Sequence, residues 1–166
     1  MSKHSQKVPI EIGYYIAGFT DGEGSFNVSF RQRNDYRLPW KISLSFNISQ
    51  KDRSILELFQ SHLKCGTLRE RKDGVVYYEV TNLKDLVDKI IPFFERYNFL
   101  SAKKKRDFKK FKQIAEIITL QKHLRIDGIK EILKIRSDMN DGGKRKYNDN
   151  IILKKLIKNK SSETIR

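Results

Sequence analysis

Two stretches near the start of the chain alternate between apolar and polar side chains with the period of a β-strand. The first covers residues 25–33 and places Phe26, Val28 and Phe30 on one face. The second follows a loop and has the same alternation, with apolar side chains at Ile42, Leu44, Phe46 and Ile48. Strands with one apolar and one polar face predict an antiparallel sheet that helices cover on one side only. The polar face of such a sheet can then meet a ligand.

Helical patterns surround these strands. Helices are predicted after Pro9, from Lys51 to the Cys65-Gly66 pair, and after the N-cap residue Asn82, with Pro92 kinking or restarting the last one. Two further strands, over 67–71 and 75–81, flank a turn at 72–74. Beyond residue 100 the chain is basic and helical, with helices predicted over 125–140 and 150–157. The predicted order is α-β-β-α-β-β-α, followed by extra C-terminal helices.

The first helix runs directly into the string Ile16-Ala17-Gly18-Phe19-Thr20-Asp21-Gly22-Glu23-Gly24-Ser25. A glycine inside a helix costs about 1 kcal/mol relative to alanine, so Gly18 indicates a close approach of another backbone. Asp21 and Glu23 then fall at the C-terminal end of the helix, which already carries partial negative charge. A divalent cation would resolve this conflict, because hard cations bind carboxylate and carbonyl oxygens. Taken alone, the same four residues 21–24 fit a helix-ending turn equally well.

Residues 16–24 as a whole resemble the signature of the LAGLIDADG homing endonucleases, with helix, small residues, paired acids and strand in the family's order. The resemblance implies an α+β fold, the LAGLIDADG saddle, whose α-β-β-α-β-β-α core turns an antiparallel sheet towards DNA. The chain carries one motif, so we expect a homodimer in which Ala17 and Gly18 let the two motif helices pack together. The implied activity is that of an intron-encoded homing endonuclease, which cleaves both strands of a long pseudo-palindromic duplex site and leaves 3′ overhangs.

The resemblance also assigns metal ligands. In the family the second acid of the motif binds the metal, which corresponds to Glu23 here, and the preceding carbonyl belongs to Gly22. Many members have aspartate where this chain has Glu23. Asp21 is a second candidate ligand that could instead cap or orient the turn. We expect Mg²⁺ as the cofactor, Mn²⁺ as a substitute, and Ca²⁺ to bind without supporting cleavage.

Two further family positions concern catalysis. A polar residue at the end of the second strand corresponds to Gln50, which would orient water. A lysine at the start of a later helix falls within the run 103–106, where the family patterns favour either Lys104 or Lys103. The sequence does not decide between them, and any one of these lysines could instead be a solvated or phosphate-binding side chain.

The polar strand faces are expected to read the DNA sequence, because arginine, lysine and asparagine match base edges in the major groove. The candidates are Asn27, Ser29, Arg31, Arg33, Lys41, Ser43, Ser45, Asn47, Arg69, Arg71, Tyr77 and Glu79. Lys144, Arg145 and Lys146 are expected to hold phosphates, which adds affinity without specificity. For each residue the alternative is ordinary solvated surface.

Composition agrees with a nucleic-acid partner. The 166 residues suit one domain, and 35 Lys+Arg against 20 Asp+Glu give a net charge of +15. Cys65 is the single cysteine, which excludes a disulfide framework and favours a reducing compartment. No apolar run approaches the roughly 20 residues of a membrane span, and no secretory pattern is present. We expect an intracellular protein of a bacterial cytoplasm, chloroplast or mitochondrion.

The expected organisation is a flexible N-terminus over 1–9, one endonuclease domain over 10–157 and a polar tail over 158–166. Three alternatives keep the nucleic-acid partner but change the function. A maturase of the same fold would bind intron RNA and assist splicing. A transcription regulator on this scaffold would carry an additional helix-turn-helix domain, for which the chain has no room. A basic structural nucleic-acid-binding protein would have no need of the acids at 21–24.

Overall fold

The computed structural model describes residues 8–35 and 37–163, with side chains up to Lys158. The expected flexible segment 1–9 therefore lies outside the described residues, apart from Val8 and Pro9. By its internal contacts the chain divides into two compact units. The first contains Met1–Ser25 and Phe46–Lys105, and the second contains Phe26–Ser45 and Arg106–Arg166.

The elements follow the predicted order. Helix α1 covers Ile10–Glu23, β1 Ser25–Gln32, β2 Trp40–Gln50, α2 Arg53–Leu63, β3 Thr67–Glu70, β4 Val76–Val80 and α3 Leu83–Asp85. A π-helical turn, Leu86–Ile90, joins α3 to α4, Ile91–Arg96. The remaining elements are α5 Ala102–Thr119, α6 Ile126–Arg136, α7 Asp149–Glu163, and the 3₁₀ turns Lys122–Leu124 and Met139–Gly142. The strands form one sheet in the order β1-β2-β4-β3, which confirms the α+β fold.

In the first unit, β4 pairs antiparallel with both β2 and β3. Phe46 lies opposite Val80 and Gln50 opposite Val76, while Thr67 lies opposite Glu79. The apolar sides of these strands are buried against α2 and α4, with fully buried aromatic rings at Phe46, Phe59, Tyr78 and Phe94. The polar residues of β4, Tyr77 and Glu79, stay partly exposed, as the period-two pattern predicts.

One close approach in this unit requires a glycine. A Cβ atom at Gly13 would lie 2.3 Å from the Tyr97 ring, so only a glycine lets the ring cross helix α1 there. The Tyr97 hydroxyl donates to the carbonyl of Val8 at 3.1 Å, just before the helix begins. The buried face of α1 is formed by Gly13, Ile16, Ala17 and Thr20. These contacts fix α1 in the first unit.

Pro92 does not begin a new helix, as one of the two expected outcomes had it, because the flanking residues Asp85, Ile90 and Ile91 all keep right-handed helical backbone angles and the helical elements follow one another without a gap. It lies in the first turn of α4. The residues before it form the π-helical turn, which the sequence pattern did not predict. Such turns interrupt α-helical hydrogen bonding over a single turn, and here the interruption falls next to the proline.

In the second unit, α5 and the C-terminal helices cover the apolar side of β1. Phe26 packs between Phe108 and Phe111, with ring centroids 5.2 and 5.0 Å apart. Trp40 lies against Phe30 and Tyr147 at 6.3 and 5.0 Å. These contacts leave the opposite side of β1 to its polar residues.

Two predicted helix ends in this unit are wrong. Helix α6 ends at Arg136 rather than near residue 140, because the backbone leaves the helical conformation at Asp138, with φ of −108° and ψ of 8°. Asn140 and Asp141, further along, are left-handed, with φ of 52° and 53°. Helix α7 continues to Glu163 rather than ending at 157. The intervening residues contain neither glycine nor proline, so their polarity alone does not end the helix. No helix within 8–35 and 37–163 is long and apolar enough to cross a membrane.

Candidate active site

The acidic end of α1 is formed where the chain turns directly from helix to strand. Glu23 is the last helical residue and is exposed, and the Gly24 N–H closes the helix by donating to the Thr20 carbonyl at 2.9 Å. A Cβ at Gly24 would lie 2.5 Å from Thr20 Cγ2, so a glycine is needed where the chain turns sharply from the helix into the strand. The last carbonyls of a helix, including that of Gly22, have no intrahelical donor. Glu23 and Gly22 thus offer oxygen atoms at one exposed helix end.

Asp21 has a different surrounding from Glu23. Its carboxylate accepts hydrogen bonds from the backbone N–H groups of Leu100 and Ser101, at 3.1 and 2.9 Å, and from the Ser101 hydroxyl. Burial alone would raise the pKa of Asp21, but these hydrogen bonds and the charge of Lys104 outweigh it, and the pKa lies below its ordinary value. The Asp21 carboxylate is thus engaged with the residues before α5, and its expected role as a metal ligand or as a residue that orients the turn stays a prediction.

Ser101 is a residue that the sequence interpretation missed. Its hydroxyl oxygen accepts from the Lys104 N–H at 3.2 Å, as an N-cap residue does at the start of a helix. Asp21 therefore binds the residue that caps α5 and connects the end of α1 to the start of α5. The signal was present in the sequence, since a serine directly before a run of helix-forming residues predicts an N-cap.

The two candidate catalytic lysines lie in the first turn of α5. The Lys104 ammonium donates to the carbonyl of Gly24, the residue that follows Glu23, and its side chain is half-buried. Lys103 is exposed on the neighbouring position of the helix. The structure thus brings Lys104 to the motif by a direct contact. Gln50 is the last residue of β2 and is half-buried opposite Val76.

The charges at these two helix ends oppose both helix dipoles. Acids lie at the C-terminal end of α1, and Lys103, Lys104 and Lys105 lie in the first turn of α5, which has no acidic residue. Each arrangement is unfavourable for its own helix by a few tenths of a kcal/mol per charge. A cation beside Glu23 and an anion beside the lysines would relieve both.

Few metal ligands come from a single chain. Among the described residues no group of three His, Cys, Asp or Glu side chains is placed to hold a metal ion. The Glu23 carboxylate and the Gly22 carbonyl fit a hard cation in chemical type, because Mg²⁺ and Ca²⁺ prefer oxygen ligands. They are too few to fill its coordination sphere, so a cation there would need oxygen atoms from other molecules.

The polar strand residues lie where the alternation predicts. In the second unit, Ser29, Arg31 and Lys41 are exposed, and the others are partly exposed: Asn27, Arg33, Ser43 and Ser45. Arg33 forms a two-bond ion pair with Asp35 at 2.8 and 2.6 Å. In the first unit, Arg69 is exposed and Asn47 lies opposite Glu79. There the Arg71 guanidinium donates to the Tyr77 hydroxyl at 2.8 Å.

Arg145, one of the three cations expected at phosphates, forms hydrogen bonds within its own loop. Its guanidinium donates to the carbonyls of Arg136, Ser137 and Met139, which holds the loop after α6. Lys144 and Lys146 are exposed on either side. The phosphate contacts expected of Lys144, Arg145 and Lys146 stay predictions, and Arg145 in addition stabilises its own loop.

The two residues expected at a dimer interface, Ala17 and Gly18, lie on different sides of α1. Ala17 is buried inside the subunit, so it lies away from the exposed side of α1. Gly18 is exposed, and a Cβ added there would meet nothing within 4 Å. The same exposed side carries large apolar residues, Ile10 at 61 %, Tyr14 at 58 % and Tyr15 at 44 % exposure.

Comparison with known proteins identifies the family. Residues 16–115 match the model of the LAGLIDADG endonuclease family. The chain is 35 % identical to probable intron-encoded endonuclease 2 of Neurospora crassa over 132 residues, which are 77 % of this chain and 29 % of that protein. It is 30 % identical to the homing endonuclease I-ApeII of Aeropyrum pernix, over 68 % of each chain. The chain thus spans under a third of the Neurospora relative but two thirds of the archaeal one.

Solved structures agree with the fold. The archaeal intron-encoded homing endonuclease I-Vdi141I, in complex with DNA, is similar with a TM-score of 0.82 and 34 % identity, over 90 % of this chain and 96 % of that one. The meganuclease I-SmaMI, bound to an uncleaved DNA target in the presence of calcium ions, has a TM-score of 0.76 and 31 % identity, over 82 % of this chain and 47 % of that one. The chain belongs to the LAGLIDADG endonuclease family.

Proposed function

We propose that this protein is an intron-encoded homing endonuclease that cleaves both strands of a long, pseudo-palindromic DNA site. The observation that carries the proposal is the exposed acidic end of α1 beside the cationic start of α5, linked through Asp21 and Ser101. Both helix ends carry charges that disfavour the isolated helices, which fits a site that binds a cation and a phosphate together.

Each residue has a distinct part in hydrolysis of a phosphodiester. A divalent cation held by Glu23 and the Gly22 carbonyl would supply charge stabilisation at the phosphate and a more acidic water. Lys104 lies against the Gly24 carbonyl, where its charge would stabilise the phosphate as negative charge develops. Gln50 would orient water through its side-chain amide. We propose Lys104 rather than Lys103 for this role because of its contact with the motif.

The proposed cofactor is Mg²⁺, with Mn²⁺ able to replace it and Ca²⁺ supporting binding without cleavage. The oxygen-only ligand set supports a hard cation. The solved I-SmaMI complex with calcium and uncleaved DNA is consistent with this behaviour in a relative. Because one subunit offers so few ligands, the remaining oxygen atoms would come from DNA and from a second subunit.

We propose that this second subunit is another copy of the same chain. Ile10, Tyr14, Gly18 and Gly22 follow one another at intervals of four, so they share one exposed face of α1. Nothing inside the subunit demands a glycine at Gly18 or Gly22, since an added Cβ would meet open space at both. A mate helix packed on this face would explain both glycines and bring two Glu23 carboxylates near one axis.

We propose that the polar side of the strands reads the DNA sequence and that each subunit reads one half-site. Lys144 and Lys146 would contact phosphates. An RNA maturase of the same fold is the alternative. No feature of the described residues favours it, whereas an exposed Glu23 beside a lysine suits hydrolysis.

A randomised duplex-DNA library incubated with the protein tests this function. With Mg²⁺ we expect cuts at one pseudo-palindromic sequence, with 3′ overhangs visible when the new ends are sequenced. With Ca²⁺ the same sequence should be retained on the protein but left intact. A folded protein that cuts no duplex in Mg²⁺ or Mn²⁺, while it retains structured intron RNA, would contradict the proposal and favour the maturase.

A further inference from the structure

The loop between α6 and α7 reaches the first residues of β1 through one side chain, that of Asn140. Its amide nitrogen donates to the carbonyl of Phe26 at 3.0 Å and to Oδ1 of Asn27 at 3.4 Å. Phe26 points into the core, and Asn27 lies on the polar side of the strand. Asn140 therefore contacts both the backbone and the outward side chain of β1, directly after the motif.

The surrounding groups hold Asn140 in this position. Its backbone is left-handed, with φ 52° and ψ 36°, a conformation that asparagine accepts better than most residues. Its N–H points at the buried Asp107 carboxylate, at 3.4 Å. The next residue, Asp141, is also left-handed and forms an ion pair with Arg106 at 2.9 Å. Arg145 binds the carbonyls on the preceding side of the loop. The amide of Asn140 is thus presented to β1 by a fixed loop.

We propose that Asn140 is a positioning residue that fixes the amide orientation of Asn27 and so sets base discrimination at the position that Asn27 reads. This inference rests on the proposed function. An asparagine amide has two orientations of similar shape that exchange its oxygen and nitrogen. A donor placed against Oδ1 selects one of them, because the reverse orientation would bring two N–H groups together. A base edge then meets one pattern of donor and acceptor rather than two.

The substitutions that test this should keep the loop intact. Asn140→Gly removes the amide and tolerates the left-handed backbone, whereas alanine there would strain it. Asn140→Asp keeps the size but replaces the donor with an acceptor, so the hydrogen bonds to the Phe26 carbonyl and to Asn27 Oδ1 are both lost. Asp138→Asn is the matched control, since it lies in the same loop, keeps the side-chain size and removes an exposed ion pair with Lys110. Thermal unfolding checks that each variant folds.

The measurement is cleavage of the library-derived duplex and of a panel with every single base-pair change in one half-site. Asn27→Ala identifies the base pair that Asn27 reads. Asn140→Gly should lower discrimination at that base pair by about five- to tenfold, the size expected for a lost base contact, and leave the other positions unchanged. Asn140→Asp should lower discrimination there to a similar extent. In the Asn27→Ala background, Asn140→Gly should have no further effect on the profile. Asp138→Asn alone should leave the wild-type profile unchanged.

A merely structural Asn140 gives a different result. Discrimination would then fall equally at all positions together with the melting temperature, or the profile would stay unchanged, and either outcome overturns the inference. Failure of the proposed function is distinguishable, because in that case the unmodified protein itself would cut no duplex of the panel.

Discussion

Asp21 offers a test of how the end of α1 positions the start of α5. Its carboxylate accepts from the N–H groups of Leu100 and Ser101 at 3.1 and 2.9 Å and from the Ser101 hydroxyl. Asp21→Ala leaves these donors to water and removes the anchor of the α5 cap. We expect a loss of about 1–2 kcal/mol in the free energy of unfolding, the size of a lost helix cap. Asp21→Asn should cost less, because its amide oxygen still accepts.

The pH dependence has a definite sign. The pKa of Asp21 lies below its ordinary value, since its hydrogen bonds stabilise the charged form more than burial disfavours it. A depressed carboxylate pKa contributes stability above the unfolded pKa of about 3.9, and the contribution is lost as the pH falls through the folded value. The difference in unfolding free energy between wild type and Asp21→Asn should therefore be constant near neutral pH and shrink below about pH 4.

Denaturant unfolding at several pH values measures this difference, with Asp88→Asn as the control. Asp88 is an exposed carboxylate paired with Lys84 on the surface, so its removal should change stability by less than about 0.5 kcal/mol. On DNA, Asp21→Ala should lower the cleavage rate at least about tenfold while binding persists, because misplacing a catalytic group by about 1 Å has large effects. An Asp21→Ala variant with unchanged stability and cleavage would refute the positioning role.

Three further predictions concern other parts of the chain. Gly18→Leu should shift the protein from dimer to monomer in sedimentation, since its side chain would occupy the exposed face of α1; an unchanged dimer would place the interface elsewhere. Gly13→Ala should cost about 2 kcal/mol or more in chemical unfolding, because its Cβ would overlap the Tyr97 ring, and wild-type stability would disprove that packing. Lys144→Ala should reduce the dependence of DNA affinity on salt concentration by about the contribution of one phosphate contact, whereas Arg145→Ala should mainly lower the melting temperature.

The fold could be predicted from the sequence because its signals are local. The alternation in β1 and β2 and the cap at Asn82 each depend on neighbouring residues, and the structure has these elements where they were expected. The end of α6 could not be predicted in the same way. It depends on Arg145, which binds carbonyls of a loop that precedes it by several residues.

The candidate site, like the fold, has parts that local sequence predicts and parts that it does not. Glu23 and Gly22 follow from the motif, because they lie within one continuous string. Our preference for Lys104 over Lys103 rests on the contact of Lys104 with Gly24, which spans 80 residues of sequence and which no spacing rule supplies. Likewise Ala17 and Gly18 are neighbours in sequence, but rotation about the helix axis buries one and exposes the other. Pairwise contacts of this kind require the folded structure.

The most direct test of the central claim is single-turnover cleavage of the library-derived duplex by wild type, Glu23→Gln, Lys104→Met and Lys103→Met, with DNA binding measured in parallel. We predict that Glu23→Gln abolishes cleavage in Mg²⁺ and changes specific binding by no more than a few fold. Lys104→Met should slow cleavage by about a hundredfold or more, within the range for one lost electrostatic group, and Lys103→Met should have a much smaller effect. Near-normal cleavage by Glu23→Gln would contradict a catalytic role for Glu23. Loss of specific DNA binding by this variant would also contradict it and would make Glu23 a structural residue.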